Sequence, residues 1–271
     1  MSNVGIGLRD PYFEHFLNYN SSSVSWLEIH PENYFEEHIK TVQLDSIRNN
    51  YPISFHCVGM SLGSVKPSED YLEKLQELIS RYEPFIISDH LSWSVSKTHY
   101  YKDLFPLPCI QEALDTMCEN VDYVQSQLGR EILIENPSTY LQFRADGDDF
   151  SETHFLNTLA RKTGCGILLD INNIFVQSFN HLFDPYEYLS EVNWKHVKEI
   201  HLAGHTRLEH TPIIVDTHDN MICEEVWNLY KHAIELHGPI NTLVEWDAKF
   251  PPIEDLINEA EKAQNVLNAY A

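Results

Sequence analysis

Short apolar segments recur along this chain at regular intervals, and an amphipathic stretch follows each of them. There are eight such segments, and polar residues able to bind metal ions stand at their ends. They are VGIGLRD (4–10), WLEIHPEN (26–33), YPISFH (51–56), PFIISDH (84–90), EILIEN (131–136), GILLDIN (166–172), KEIHLAGH (198–205) and TLVEWD (242–247). Strands of a parallel sheet have this apolar composition because helices cover both faces of the sheet. The alternation therefore predicts an α/β fold with a parallel sheet.

The stretches between the segments have the spacing of amphipathic helices. Residues 68–82 carry apolar side chains at helical intervals, and Ser68 is a suitable N-cap residue. Residues 109–129 and 224–238 also predict helices, and each ends at a glycine. The last helix is predicted after the prolines at 251–252.

Eight strand–helix units in 271 residues predict a closed (β/α)8 TIM barrel, with residues 1–271 as a single catalytic domain. Polar runs at 21–23 and 146–149 are predicted loops. The alternative is an open doubly wound sheet, which would place a glycine-rich phosphate loop after the first strand. Gly5 and Gly7 are not followed by the third glycine of such a loop.

Functional residues of TIM barrels lie at the carboxyl ends of the strands. The residues at those positions are Glu28, His30, His56, Asp89, His90, Glu135, Asn136, Asp170, Asn172, Asn173, His201, His205, Glu245 and Asp247. After the seventh strand the sequence adds Asp216 and His218, whose D-x-H spacing predicts side chains on one side of an extended segment.

Imidazoles and carboxylates without thiolates suit zinc, iron or manganese. A carboxylate can bridge two metals, and these residues exceed what one ion needs, so the set predicts two or three metals. Any single histidine at a strand end could instead be a hydrogen-bonded core residue. Chance placement of the whole set at the strand ends is much less probable, which favours a functional site. Asn33 and Asn136 are interpreted either as peptide-binding or ligand-orienting residues, or as turn residues near proline.

Charge and hydropathy exclude several classes of function. A formal net charge of −23 repels a phosphate backbone and argues against nucleic-acid binding. No apolar run reaches the length of about 18 residues that a membrane helix needs, and the amino terminus does not resemble a signal peptide. We therefore expect a cytoplasmic protein that does not bind membranes.

The five cysteines are scattered along the chain and include no C-x-x-C pair. This predicts buried free thiols and no disulfide framework or thiolate zinc site. Cys57 follows His56 in a predicted strand, so its side chain is expected to face away from whatever His56 binds.

Several longer motifs resemble one known family over nearly the whole chain. They are WLEIHPENYF, SFHCVGMSLGS, SDHLSWS, DLFPLP, ILIENPSTY, RKTGCGILLDINNIFV, EIHLAGH, IVDTH and LVEWD. Together they are similar to the multinuclear non-heme iron-dependent oxidative enzymes, such as the MbnB-like enzymes of methanobactin biosynthesis. Those enzymes modify cysteines in ribosomally made (RiPP) peptides.

The resemblance implies a TIM barrel that holds two or three iron ions in mixed Fe(II)/Fe(III) states, with Glu135 as a bridge between two of them. The implied ligands are His56 and His90 at one site, Asp170, His201 and Glu245 at the central site, and Asn173, Asp216 and His218 at the third, where His205 is a further ligand. Glu135, Asp170 and His201 are the implied catalytic residues. Glu28, Asp89 and Asp247 are candidates for orienting the histidines.

The resemblance also implies a reaction and its partners. Dioxygen (O2) is the implied co-substrate, and a cysteine of a precursor peptide is oxidised, for example to an oxazolone with an adjacent thioamide. A small MbnC-like partner protein that binds the peptide leader is implied, giving a hetero-dimer.

Two other functions stay open at the level of sequence. A metal-dependent hydrolase or sugar isomerase could use the same barrel, and a more distant similarity to the tri-zinc barrel of endonuclease IV agrees with it. That enzyme has D-x-x-H where this chain has Asp170 and Asn173, so the third metal site is expected to be labile. The other alternative is a non-catalytic scaffold that binds metal or peptide.

Overall fold

A computed structural model describes residues 3–19, 23–96, 99–141, 143 and 150–271. Of the two predicted polar loops, residues 21–22 and 146–149 lie outside the described part. The strands in chain order are β1 (Val4–Gly7), β2 (Trp26–Ile29), β3 (Ile53–His56), β4 (Ile87–His90), β5 (Ser92–Ser96), β6 (His99–Pro106), β7 (Leu133–Glu135), β8 (Gly166–Asp170), β9 (Val197–Leu202), β10 (Thr206–Arg207), β11 (Ile214–Val215) and β12 (Asn241–Val244).

Eight of these strands form one closed parallel barrel, which confirms the predicted fold class. Their order around the barrel is β1, β12, β9, β8, β7, β4, β3 and β2. The barrel closes where Val4 of β1 pairs with Thr242 of β12. The predicted apolar segments and the barrel strands coincide, although the first strand ends at Gly7, earlier than the segment 4–10.

The helices cover the outside of the barrel. They are α1 (Phe13–Asn18), α2 (Ile39–Arg48), α3 (Glu69–Tyr82), α4 (Gln111–Leu128), α5 (Glu152–Thr163), α6 (Ile171–His181), α7 (Pro185–Glu191), α8 (Glu224–His237) and α9 (Ile253–Ala269). One continuous apolar core joins their inner faces to the strands, and it includes Cys57.

Local sequence explains where the predicted helices begin and end. The Ser68 hydroxyl accepts a hydrogen bond from the backbone N–H of Tyr71 and so caps α3. Helix α4 ends at Gly129, whose φ of 65° lies in the left-handed region that favours glycine. Helix α8 ends before Gly238, as predicted.

Two short antiparallel pairs are added to the barrel at its carboxyl-terminal end. Strands β5 and β6 form a hairpin after β4, with an irregular register between Trp93 and Val95. Strands β10 and β11 pair after β9. Neither pair was predicted from the sequence, and the first of them forms one wall of the cleft described below.

Candidate metal centre

Four barrel strands end on a residue of the predicted site. These residues are His56 on β3, His90 on β4, Glu135 on β7 and Asp170 on β8. In the strand register His90 lies opposite Glu135 and Asp170 lies opposite His201. The parallel barrel therefore brings these side chains to one end, as the sequence predicts.

The carboxylate of Glu135 is shared by two histidines. Its Oε2 lies 3.1 Å from His56 Nε2 and 3.3 Å from His90 Nε2. Burial opposes charge on both partners of this group, but the mutual attraction is stronger. Attraction to Glu135 raises the pKa of His56 to about 10. Attraction to His90 and His56 lowers the pKa of Glu135 to about 2. A cation at this point would meet a full negative charge and two imidazole nitrogens.

A polar group on the Nδ1 side of the ring orients each of these two histidines. Ser88 Oγ donates to the Phe55 carbonyl, so it accepts from His56 Nδ1 at 2.8 Å. Asp89 Oδ1 lies 3.4 Å from His90 Nδ1. The raised pKa of His56 places a second proton between its Nε2 and Glu135. A cation that displaced this proton would leave one proton on Nδ1 and bind through Nε2, an arrangement typical of metal-binding histidines.

A second group adjoins the first inside the barrel mouth. Asp170, His201 and Glu245 place one ligand atom each within 4.8 Å of one another, and so do His56, Glu135 and His201. Burial and the nearby Glu135 raise the pKa of Asp170 well above its usual range. The shift reflects closely spaced carboxylates, an arrangement that a divalent cation stabilises.

The third group is formed by residues that follow the strands. His218 Nε2 lies 2.7 Å from Asp216 Oδ1. Asn173 Nδ2 donates to Glu135 Oε1 and to the Asn136 carbonyl, both at 3.1 Å. His205 reaches this group through Asn172, whose Oδ1 accepts from His205 Nδ1 at 2.9 Å and whose Nδ2 donates to Asp216.

The backbone around Asp216 and His218 differs from the extended segment that the D-x-H spacing predicts. Strand β11 ends at Val215, and His218 has a φ of 46°, in the left-handed region. The prediction of an extended segment is wrong, because the His218 N–H bonds to the Gly204 carbonyl at 3.0 Å and bends the chain back toward β9. The turn still brings the two side chains together.

Asp247 and Asn136, two of the residues expected to support the ligands, have clear partners. Asp247 Oδ2 lies 3.2 Å from His218 Nδ1. Asn136 pairs with the backbone of Asp170 in both directions, at 2.8 and 3.0 Å, and so ties β7 to β8. Asn33 is exposed and does not line the cleft.

Three contributing residues received no role in the sequence analysis. Arg9 Nε donates to Asp247 at 2.6 Å, and its Nη2 lies 3.3 Å from Glu245. Glu199 is fully buried near His201. His30 appeared only as a strand-end residue and forms a group with Glu245 and Asp247. The L-R-D sequence after β1 and the alternation of Glu199 with His201 are the signals that could have identified the first two.

A cleft of about 670 Å³ opens above these groups. Its lining includes His56, His90, Glu135, His218 and Glu245. Aromatic side chains of the β5–β6 hairpin and of the segment after β7 form its walls, among them Tyr100, Phe105 and Tyr140. The cleft is large enough for a short stretch of peptide or another small molecule.

The donor set fits divalent metals on evidence from the protein itself. Several buried atoms of the three groups lack well-formed hydrogen bonds among the described residues. Asp170 Oδ2 and Asn173 Oδ1 have no partner, and Glu135 Oε2 and His218 Nε2 have only the histidine–carboxylate contacts given above. Buried polar atoms are almost always hydrogen-bonded, so oxygen and nitrogen atoms that lack good hydrogen bonds and crowd into one place indicate a cation site. Nitrogen and oxygen donors without thiolates fit iron, zinc or manganese.

Comparison with known proteins points to one family. The model of the RiPP precursor modification enzymes MbnB/TglH/ChrH matches residues 3–268. A UPF0276 protein of Vibrio vulnificus (strain YJ016) is 46% identical over 270 residues, which are 98% of this chain and 92% of that protein. A UPF0276 protein of Acaryochloris marina is 42% identical over 97% of this chain and 94% of that protein.

Solved structures with low sequence identity share the fold. Endonuclease IV from Thermus thermophilus has a TM-score of 0.59 at 13% identity, covering 99% of this chain and 98% of that one. A xylose isomerase-like TIM barrel protein from Mycobacterium smegmatis in complex with magnesium has a TM-score of 0.61 at 11% identity, covering 100% and 98%. In the described part of the chain, no helix combines the length and apolarity needed to cross a bilayer.

Proposed function

This chain belongs to the family of RiPP precursor modification enzymes MbnB/TglH/ChrH, and on that premise we propose that it is a multinuclear iron-dependent oxidase that modifies cysteines of a ribosomally made precursor peptide. The observation that supports the proposal is the set of buried ligand atoms at and beneath the floor of the cleft, among them Asp170 Oδ2 and Asn173 Oδ1, which have no hydrogen-bond partner among the described residues. Such a set is suited to more than one metal ion, because Glu135 is close to imidazoles on one side and to Asn173 on the other.

We assign the metal ligands as three connected sites. The first site would use His56, His90 and Glu135. The central site would use Glu135, Asp170, His201 and Glu245. The third site would use Asn173, Asp216 and His218, and His205 reaches it through Asn172. Iron bound there would supply the redox capacity to activate dioxygen and oxidise a thiol-bearing residue.

The protein's own groups would prepare the site for this chemistry. Ser88, Asp89 and Asp247 hold the Nδ1 sides of three histidines, which fixes the direction of each ring. Burial of Glu135 and Asp170 excludes bulk water from the ligand atoms, which strengthens electrostatic interactions around a reacting group. Arg9 offsets part of the negative charge of Glu245 and Asp247.

The rim of the cleft is suited to a peptide. Tyr100, Tyr140 and Leu141 line the cleft and are 54%, 45% and 72% exposed. Exposed apolar side chains around a polar floor are typical of a binding site for another chain. We therefore propose a peptide substrate that lies along this rim with its cysteine directed at the metal ligands.

The test is oxidation of a cysteine-containing precursor peptide encoded beside this gene. Protein purified without oxygen and loaded with Fe(II) should consume O2 only when the peptide is present, and mass spectrometry should show a change confined to cysteine. Zinc-loaded protein should fold and bind metal but give no turnover. Glu135→Gln should abolish turnover, because it removes the charge shared by two sites.

Glu259→Gln is the matched control. Glu259 is a fully buried carboxylate on α9 that pairs with Lys262, away from the cleft, so its variant should keep wild-type turnover. Turnover by the zinc form, or hydrolysis of a phosphoester or isomerisation of a sugar without oxygen, would contradict the proposed oxidation.

We also propose the small leader-binding partner and a cytoplasmic location, where ribosomal peptides are made. Co-expression of this chain with a small protein encoded next to it in the genome should give a one-to-one hetero-dimer in size-exclusion chromatography with light scattering. Separate elution of the two proteins at micromolar concentration would contradict it.

A further inference from the structure

Two carboxylates lie deeper in the barrel than any of the groups that line the cleft. Glu199 is two residues before His201 on β9, so both side chains share the inner face of that strand. Glu28 reaches the same place from β2, and both carboxylates are fully buried. None of their four oxygens has a hydrogen-bond partner among the described residues.

His201 is the cationic or imidazole side chain closest to this pair. Its Nε2 lies 3.4 Å from Glu28 Oε2 and 3.7 Å from Glu199 Oε1. In the described part of the chain, no other lysine, arginine or histidine nitrogen comes within 4.0 Å of either carboxylate. The opposite ring nitrogen, Nδ1, lies 3.1 Å from Glu245 Oε2.

This orientation is the reverse of that of His56 and His90. In both of these, Nδ1 faces a supporting group and Nε2 faces a ligand carboxylate, whereas His218 Nδ1 lies 3.2 Å from Asp247 and 3.4 Å from Glu245. In His201, Nδ1 faces Glu245, which lines the cleft, whereas Nε2 faces Glu28 and Glu199, which do not. A cation that enters from the cleft therefore meets Nδ1 of His201.

We propose that Glu28 and Glu199 together accept the Nε2 proton of His201 and thereby present its Nδ1 to the central metal. An imidazole that coordinates through one nitrogen carries its proton on the other, and the group that accepts this proton fixes the ring. Glu28 and Glu199 are thus positioning residues. The assignment rests on one part of the proposed function, a divalent cation at Asp170, His201 and Glu245, and needs neither iron nor peptide.

The first test reads the tautomer directly in wild-type protein. Long-range ¹H–¹⁵N NMR of zinc-loaded protein labelled with ¹⁵N-histidine should show His201 with a protonated Nε2 and a metal-bound Nδ1. The spectrum of His201→Gln assigns the signal. A protonated Nδ1 with zinc on Nε2 would overturn the proposal, and so would a zinc ion between Glu28 and Glu199 in anomalous diffraction.

The second test uses Glu28→Gln and Glu199→Gln, which keep side-chain shape but remove the charge that holds the proton. Each should weaken one of the bound zinc ions by about 10- to 100-fold in competition with a chelator, the range typical for loss of a group behind a ligand. Glu259→Gln, the buried control on α9, should bind zinc as wild type does. Unchanged zinc affinity in both variants would overturn the role of Glu28 and Glu199 alone.

A wild-type protein that binds no zinc would overturn the metal centre and this assignment with it. A protein that binds zinc normally but never oxidises a peptide would contradict only the proposed oxidase activity. The two failures are therefore distinguishable.

Discussion

Asn173 differs from the other proposed ligands because it is an amide, with neither the charge of a carboxylate nor the basic nitrogen of an imidazole. Its Nδ2 donates two hydrogen bonds, to Glu135 and to the Asn136 carbonyl, which leaves Oδ1 as its one unpaired atom. An amide oxygen is a weaker ligand for iron or zinc than an imidazole nitrogen. Occupancy of the third site should therefore be lower than that of the other two sites.

We predict opposite effects for two substitutions of Asn173. Asn173→Ala should weaken one metal per chain by about tenfold or more, and Asn173→His should raise its occupancy. Elemental analysis after dialysis against a weak chelator measures both. Asn268→Ala, at an exposed position on α9, is the control. The same metal count in all four proteins would show that Asn173 is not a ligand.

At the scale of elements, Glu152 joins three helices on the outside of the barrel. It is the first residue of α5, and its Oε1 accepts from Tyr188 of α7 at 2.7 Å and from Gln177 of α6 at 3.1 Å. Burial raises its pKa from 4.5 to about 7, although the hydrogen bonds from Tyr188 and Gln177 oppose the shift. Among the described residues, no positive charge offsets the effect of burial on this carboxylate.

This raised pKa predicts a pH dependence of stability. Because the folded state holds the proton more tightly, stabilisation by Glu152 is complete below pH 4.5 and is lost as the pH rises to about 7. The resulting decrease in the free energy of unfolding is at most about 3 kcal/mol. Glu152→Gln cannot ionise, so above pH 7 it should be more stable than wild type in urea titrations, with the difference vanishing near pH 4.5. Glu73→Gln, an exposed change on α3, should show no such trend.

Gly204, just after β9, controls how the third group is assembled. A Cβ at this position would lie 2.0 Å from the backbone oxygen of Asn220, and the Gly204 carbonyl accepts the His218 N–H. Gly204→Ala should cost about 1–3 kcal/mol in urea unfolding and lower the metal count. In Gly166→Ala the nearest atom is the tip of the Leu133 side chain, which can move, so a smaller loss is expected. Equal losses would contradict this explanation.

Residues at the ends of elements were easier to predict from sequence than residues inside them. His56, His90, Glu135 and Asp170 could be identified because the carboxyl ends of parallel strands are set by the apolar pattern. Glu199 lies within β9, where a charged residue is interpretable only once Glu28 is known to face it across the barrel.

Two other features were missed for reasons of tertiary structure. The β5–β6 hairpin has alternating aromatic and polar residues that favour strands, but its place beside the cleft depends on β4. The positive φ of His218 depends on a hydrogen bond to Gly204, a residue fourteen positions earlier that no local pattern connects to it.

At the scale of the whole molecule, the metal centre should contribute to stability. The chain has a net charge of −23, and its candidate ligands include buried carboxylates that repel one another. A ligand that binds only the folded state at about 100 times its dissociation constant adds about 2.7 kcal/mol.

We therefore predict that zinc or Fe(II) added to chelator-treated protein raises its melting temperature, measured by calorimetry. Magnesium should raise it much less, because it prefers sites made only of oxygen ligands. In the Glu135→Gln variant, zinc or Fe(II) should raise the melting temperature by much less than in the wild-type protein. An equal rise with magnesium would argue that the effect comes from general screening of negative charge.

The closure of the barrel between β1 and β12 has a consequence for how the centre forms in the cell. Arg9 follows β1, near the amino terminus, but contacts Glu245 and Asp247, which follow the last strand to be synthesised. A growing chain on the ribosome folds from its amino terminus and presents His56 and His90 long before Glu245 exists. The residues of the central site can thus come together only after β12 and Glu245 have been translated. A metal held by the complete central site would therefore bind late in synthesis, after the barrel has closed.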